Sequence, residues 1–213
     1  MTVTISRLYD DYRTASQVVR DLEAAGVPHK DISVVASNAD NWYSADGKNA
    51  PAGKIDRDRD GRDDRAEGAA AGAGIGATVG GTAGLLAGLG LMAIPGVGPV
   101  VAAGWLVAMA AGAAAGGTAG SIIGALTQSG VSDDEAHVYA EGVRRGGTLV
   151  SARVPDNDRA RLEGILDRSA VNIRERGTAY RSAGWKGFDP KATPYSSDQV
   201  RKERELYRSG GAL

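Results

Sequence analysis

Acidic side chains alternate with arginines in one short stretch of the chain, residues 56–67. A twelve-residue calcium loop needs oxygen ligands at positions 1, 3, 5, 9 and 12, a backbone carbonyl at position 7 and glycine at position 6. Gly61 occupies position 6 of such a loop. The candidate Ca²⁺ ligands are the side chains of Asp56, Asp58, Asp60, Asp64 and Glu67 and the backbone carbonyl of Arg62.

The same stretch also has the features of a solvated, charge-balanced linker. Four arginines alternate with six acids, and Asp63 stands at position 8, where an apolar residue normally anchors the loop. No helix is predicted before Asp56. Both interpretations stay open, and any Ca²⁺ affinity is expected to be weak because each arginine partly neutralises the field of the acids.

Other chemistry has less support. The chain has no cysteine, which excludes disulfides, thiolate metal sites and thiol catalysis. His29 and His137 are the only histidines, and neither has a nucleophile or ligand partner at recognisable spacing. A formal net charge of -1 provides no overall attraction to nucleic acid. We therefore expect no enzymatic activity, no catalytic residue, no nucleic-acid partner and no identifiable small-molecule substrate.

The chain is organised around residues 68–132, which are sixty-five residues without a charged side chain or a histidine. Glycine or alanine recurs there at every fourth position, and residues four apart on a helix lie on one face. Such a face lets two helices pack backbone against backbone. The proposed helix-packing residues are Gly72, Gly76, Gly80, Gly84 and Gly88 in the first half, and Gly104, Ala108, Gly112, Gly116, Gly120 and Gly124 in the second.

Residues 94–99 separate the two halves, because their prolines and glycines favour a turn. We predict a glycine-zipper helical hairpin with arms at residues 69–93 and 100–127, about 38 and 42 Å long. Either arm would be long enough to cross a bilayer core of about 30 Å. The alternative is the buried middle of a soluble oligomer, since alanine and glycine are far less lipophilic than leucine. A pore is disfavoured because the stretch lacks a carboxylate.

Two β-α-β patterns flank this stretch. The first has strands at residues 3–8 and 32–36, and the second follows a helix capped by Ser132 and has strands at residues 148–154 and 171–174. Two such units form a four-stranded antiparallel sheet with helices on one face, the ferredoxin-like α+β fold. The predicted regions are 1–36 for its first half, 37–67 for a polar linker, 68–131 for the hairpin, 132–175 for a helix and the second half, and 176–213 for a basic aromatic tail with a short helix.

The tail has two interpretations. Residues 174–213 contain nine Lys or Arg and five acids, a net charge of 9 − 5 = +4, together with Tyr180, Trp185, Phe188 and Tyr195. Basic and aromatic residues in this combination suit anionic lipid headgroups. Alternatively, the tail is a strap packed on the protein's own sheet.

Two blocks of this sequence resemble a known family. They are IPGVGPVVAAG at residues 94–104 and GALTQSGVSDDEAHVYAEGVRRGGTLV at residues 124–150, joined by a Gly/Ala run. Together they resemble bacterial general stress proteins of the glycine-zipper type, which include heat-induced and low-temperature-induced proteins. The resemblance covers most of residues 1–175. It implies a bacterial, stress-expressed protein with a membrane-prone insert in a small α/β domain, and it supplies no catalytic residues.

These observations lead to one functional expectation and two rivals. We expect a non-enzymatic bacterial stress-response protein that forms homo-oligomers and associates with the membrane through the hairpin. No signal peptide is predicted, so the expected location is the cytoplasmic face of the inner membrane. The first rival is a soluble, cytoplasmic, homo-oligomeric sensor for a ligand or Ca²⁺, with the hairpin buried in the assembly. An enzyme ranks third, and apart from Ca²⁺ no cofactor is expected.

Overall fold

The computed structural model describes residues 1–43, 89–114 and 122–208. Its strands are β1 (Thr2–Tyr9), β2 (Ile32–Ser37), β3 (Gly90–Ile94), β4 (Gly98–Gly104) and β5 (Thr148–Pro155). Its helices are α1 (Tyr12–Ala24), α2 (Trp105–Ala114), α3 (Ile122–Gln128), α4 (Asp133–Arg144), α5 (Arg159–Leu166), α6 (Ile173–Ser182) and α7 (Ser197–Arg208). Short 3-10 turns stand at His29–Asp31 and Asp156–Asp158.

The five strands form one antiparallel sheet in the order β1-β5-β2-β4-β3. The pairing β1-β5-β2 joins three of the four predicted strands. The other two strands come from the uncharged stretch and extend the sheet beyond β2. The chain therefore has a mixed α/β fold built on an antiparallel sheet, as its alternating strand and helix patterns predict.

Several helix ends follow from local capping signals. The Asp11 side chain accepts a hydrogen bond from Thr14 N at 2.8 Å and starts α1, and Ser132 accepts one from Glu135 N at the start of α4. Gly146 ends α4 with a φ of 106°, a conformation that side-chain-bearing residues avoid. The Ser132 cap agrees with the prediction from sequence.

The predicted fourth strand at residues 171–174 is wrong. Asn172 accepts hydrogen bonds from Arg174 N and Glu175 N and caps α6, so that helix replaces the strand. Val171 N does donate a backbone hydrogen bond to Leu8 O of β1 at 2.8 Å.

The helical hairpin is wrong for residues 90–104. These residues form the β-hairpin of β3 and β4, and Val97 N donates to Ile94 O at 3.0 Å across its turn. The predicted break between the prolines is therefore a turn, but it joins strands instead of helices. β4 pairs with β2, which would otherwise be a sheet edge with unmatched backbone groups. Within the predicted second arm, α2 and α3 are helical.

Helices cover both faces of the sheet, not one face as predicted. Adjacent residues of a strand point to opposite faces, and in β2 Val34 belongs to one apolar cluster while Val35 belongs to the other. Helices α1 and α5 pack over the first cluster; α2, α3 and α4 pack over the second. All residues of β2 are buried. This strand is therefore covered by a layer of helices on each face of the sheet.

Candidate functional site

The predicted calcium ligands lie outside the residues that the structure describes. They are Asp56, Asp58, Asp60, Arg62, Asp64 and Glu67. Within the described ranges, no group of three or more His, Cys, Asp or Glu side chains is arranged to hold a metal ion. The calcium site therefore stays a prediction.

The proposed helix-packing residues are divided between described and undescribed parts of the chain. Gly72, Gly76, Gly80, Gly84, Gly88, Gly116 and Gly120 lie outside the described residues. The others lie on three different elements: Gly104 ends β4, Ala108 and Gly112 belong to α2, and Gly124 belongs to α3. Ala108 is exposed.

Gly104 allows a close approach, although between two strands and not between two helices. Its φ is 97°, and a Cβ atom there would overlap the Ile32 carbonyl oxygen and lie 2.7 Å from Ser33 Cα. The small residue is thus required by the junction of β4 with β2. Its packing role is real, but the partner differs from the predicted one.

A buried clasp joins the two ends of the segment at residues 44–88. Tyr43 Oη donates a hydrogen bond to Leu89 O at 3.0 Å. Asn38 holds Tyr43 in turn, since Asn38 Nδ2 donates to Tyr43 O at 3.0 Å and Asn38 Oδ1 accepts from Tyr43 N at 3.0 Å. We call Asn38, Tyr43 and Leu89 the clasp, and all three residues are buried.

An aromatic pair supports the clasp from the side. The Tyr12 and Trp42 rings have centroids 4.6 Å apart, and Trp42 Nε1 donates to Ser37 O at 2.7 Å. The clasp is therefore anchored to α1 and to the end of β2. As a result, the chain positions on either side of residues 44–88 lie next to each other.

Uncharged surface lies beside the clasp. Leu91 of the edge strand β3 is 44% exposed, and Ala93 of the same strand is also exposed. β3 carries no charged residue, although charged side chains are the usual protection of an edge strand. Of the helices described, none has both the length and the apolar composition needed to cross a bilayer.

The basic tail packs on the domain as a strap, which is one of its two predicted interpretations. Tyr180, Phe188 and Val200 are buried. Pro190 covers the β3–β4 turn so closely that a Cβ at Gly96 would lie 2.6 Å from Pro190 Cα. These residues of the tail therefore make contacts within the chain.

Glu203 and Tyr180 of the tail also join a cluster of charged residues around the end of α4. Glu141 is buried, and its carboxylate accepts from Arg145 Nε at 2.7 Å and from Arg144 Nη1 at 3.3 Å. Arg145 Nη1 also donates to Glu203 of α7 at 3.1 Å, and its guanidinium lies 4.3 Å from the centre of the Tyr180 ring. We call these five residues the tail cluster.

Electrostatics in the tail cluster favour the charged form of its central arginine. Burial by itself would lower the pKa of Arg145, but the hydrogen bond and the charge of Glu141 outweigh it, so that this pKa is raised. Burial raises the pKa of Tyr180 in spite of the nearby Arg176 guanidinium. The cluster thus holds the tail around a charged Arg145 and a neutral Tyr180.

The two histidines have different surroundings. His137 Nδ1 accepts from Phe188 N at 3.2 Å, and its Nε2 lies 3.7 Å from an Asp133 carboxylate oxygen. His29 begins the 3-10 turn before β2. His137 thus helps to hold the tail strap.

The clasp and the tail cluster were not predicted from sequence. Asn38 and Tyr43 stand in a polar region interpreted as a linker, and the hydrogen bond that matters joins residues 46 positions apart. The Glu141, Arg144 and Arg145 spacing on one helix could have indicated a local ion pair. Nothing local indicated that α7 would complete it.

Comparison with known proteins adds no relative. No protein-family model matches the chain, and no match was found among curated proteins or solved structures. The function is therefore argued from the geometry of the chain itself.

Proposed function

We propose that this chain is a non-enzymatic bacterial stress-response protein of the glycine-zipper type that self-associates and binds the membrane surface. Residues 68–88, which carry no charged side chain, would provide the contact. The observation that carries the proposal is the clasp. It holds together the two chain positions that flank residues 44–88, so that this segment could bind a partner without unfolding the sheet.

Chain connectivity favours surface binding over spanning. Because Tyr43 and Leu89 are hydrogen-bonded, both ends of the segment at residues 44–88 lie on the same side of any membrane. An even number of crossings would then be needed, and two helical crossings require about 40 apolar residues. The longest uninterrupted uncharged run in this segment is residues 68–88, which is 88 − 67 = 21 residues. We therefore propose contact with the membrane face or with another copy of the chain, on the cytoplasmic side.

As the architecture of this chain, we propose a ferredoxin-like core that carries a Gly/Ala-rich insert. The neighbouring strands β1, β5 and β2 support it. The insert then contributes β3, β4, α2 and α3 to the domain and leaves residues 68–88 for association.

The second candidate is the soluble sensor, and one observation favours it. Leu106 of α2 and Leu126 of α3 are buried in the apolar cluster on one face of the sheet, so apolar side chains of this half of the uncharged stretch already pack within the domain. If residues 68–88 are buried likewise in an oligomer, the acidic loop at residues 56–67 could respond to Ca²⁺ and alter the assembly.

One set of measurements separates these candidates. Gly76→Leu and Gly80→Leu should reduce the oligomer mass measured by light scattering and reduce flotation with vesicles, because leucine prevents close backbone contact. Gly164→Leu is the control, since Gly164 is exposed on α5 with open space around it. Unchanged mass and unchanged flotation in both variants would contradict self-association through the zipper.

Two further measurements are a carbonate wash of the membrane-bound protein and the oligomer mass with and without Ca²⁺. Carbonate should release the bound protein, and retention would contradict surface binding. Ca²⁺-dependent oligomer mass that is lost in Asp58→Ala, without flotation, would favour the sensor instead.

A further inference from the structure

A groove lined by arginines lies between α1 and the loop after α5. Its volume is about 430 Å³, within the usual range for sites that bind small ligands. We call it the arginine groove, and its charged and amide side chains are Arg13, Gln17, Arg20, Asp21 and Arg168. It is separate from the clasp and from the tail cluster.

A chain of hydrogen bonds positions two of these arginines. Arg20 Nη2 donates to Gln17 Oε1 at 2.7 Å, and Gln17 Nε2 donates to Asp21 Oδ1 at 2.9 Å. From the opposite wall, Arg168 Nη1 donates to Asp21 Oδ2 at 3.2 Å. A guanidinium has five N–H donors, so both arginines keep further donors for a ligand. The Arg168–Asp21 hydrogen bond thereby links the two sides of the groove.

Positive charge in the groove exceeds negative charge. Three guanidiniums face one carboxylate, a balance of 3 − 1 = +2, whereas the whole chain carries -1. Among the described residues, Arg13 forms no ion pair. A bound anion would relieve the repulsion between the three arginines.

We propose that the arginine groove binds a phosphate group carried by a small organic molecule or a lipid headgroup. Phosphate presents several oxygens to the planar fork of arginine, so one phosphate can accept from more than one guanidinium. Thr14 and Ser169 line the same groove and add hydroxyl groups. The groove is larger than one phosphate, which leaves room for the glycerol or sugar attached to it. The headgroup source rests on the proposed membrane function, while the phosphate site does not.

The soluble arm of the test is a calorimetric titration with glycerol phosphate. The double variant Arg13→Gln with Arg168→Gln should bind at least about tenfold more weakly than the wild type. The matched control is Arg159→Gln with Arg161→Gln, which removes the same charge from exposed positions of α5 outside the groove. Equal melting temperatures of the two double variants would establish that both remain folded.

The lipid arm is flotation with vesicles of phosphatidylglycerol and phosphatidylcholine, compared with phosphatidylcholine alone. Loss of glycerol phosphate binding in the groove variant, with flotation unchanged, identifies a soluble phosphorylated ligand. Loss of flotation identifies the headgroup. If the groove variant and its control behave alike in both arms, the proposal is overturned.

These outcomes are independent of the zipper. Gly80→Leu tests self-association and leaves the arginine groove intact. A failure of the zipper variants therefore contradicts the proposed function without affecting the phosphate site, and the reverse also holds.

Discussion

Three buried tyrosines carry hydroxyl groups whose ionisation the fold opposes. Tyr139 Oη donates to Ser6 O at 2.7 Å, and Tyr9 Oη donates to Leu166 O at 2.5 Å. Burial raises the pKa of Tyr139 to about 12. Burial also raises the pKa values of Tyr9 and Tyr180. Each hydroxyl is therefore neutral in the folded protein at pH values where an exposed tyrosine ionises.

These pKa shifts predict a loss of stability at alkaline pH. Below about pH 10, the tyrosines are neutral in both the folded and the unfolded states, and their contribution is complete. Above that pH, the unfolded chain loses protons first, so the free energy of unfolding falls as pH rises. The expected slope is about 1.4 kcal/mol per pH unit for each tyrosine, or about 4 kcal/mol for three, up to about pH 12.

Urea unfolding at several pH values measures this slope. Tyr180→Phe removes one of the three ionising groups and should reduce the slope between about pH 10 and pH 12 by about one third. Tyr195→Phe is the comparison, because Tyr195 is only partly buried and should have a smaller effect. Identical slopes for the wild type and Tyr180→Phe would argue against the pKa shift of this residue.

At the scale of elements, glycines differ in what they do for the fold. Gly104 combines a positive φ with backbone contacts that leave no space for Cβ. Gly130, which follows α3, also has a positive φ, but it has open space around it. Gly164 has open space within α5 and no positive φ. A comparison of the three positions therefore separates the energetic cost of steric overlap from the cost of a left-handed backbone conformation.

Alanine substitutions should therefore follow a graded series. Gly104→Ala should lower the free energy of unfolding by more than about 3 kcal/mol, because the neighbouring strand backbone cannot move aside. Gly130→Ala should cost about 1–2 kcal/mol from its left-handed conformation alone. Gly164→Ala should increase stability by about 0.5–1 kcal/mol because alanine favours helix. Chemical denaturation measures all three, and equal effects at Gly104 and Gly130 would refute the packing argument.

At the scale of the whole molecule, α7 connects distant parts of the domain. Arg204 of this helix pairs with Asp40 near the clasp, and its Nε donates to Gly146 O at 3.0 Å. Glu203 reaches Arg145 at the end of α4. Helix α7 thus links the tail to the end of α4 and to the chain just before residues 44–88.

Removing α7 tests this structural role. Deletion of residues 196–213 takes away the buried Val200 and leaves Asp40 and Arg145 with fewer partners, which should lower the free energy of unfolding by about 4 kcal/mol. Deletion of residues 209–213, which keeps α7, is the control. Denaturant unfolding measures both. If the protein without α7 has the same free energy of unfolding as the full-length protein but binds vesicles more weakly, the lipid-binding interpretation of the tail is favoured.

The ends of several elements could be predicted because neighbouring residues decide them. Asp11 and Ser132 accept hydrogen bonds from amides three residues away, and Gly146 takes the left-handed conformation that ends α4. Strands β1, β2 and β5 were predicted from β-branched and alternating residues. Such signals depend on short stretches of chain and need no tertiary partner.

The sequence by itself thus determined the mixed α/β class, the position of the uncharged stretch and the turn between its prolines. Only the tertiary structure decided that residues 98–104 form a strand, because alanine, glycine and valine there suit either conformation and the edge of β2 selects extended chain. It likewise decided the clasp, the tail cluster and the arginine groove. These join residues 46, 58 and 147 positions apart, and no local pattern records which distant groups will meet.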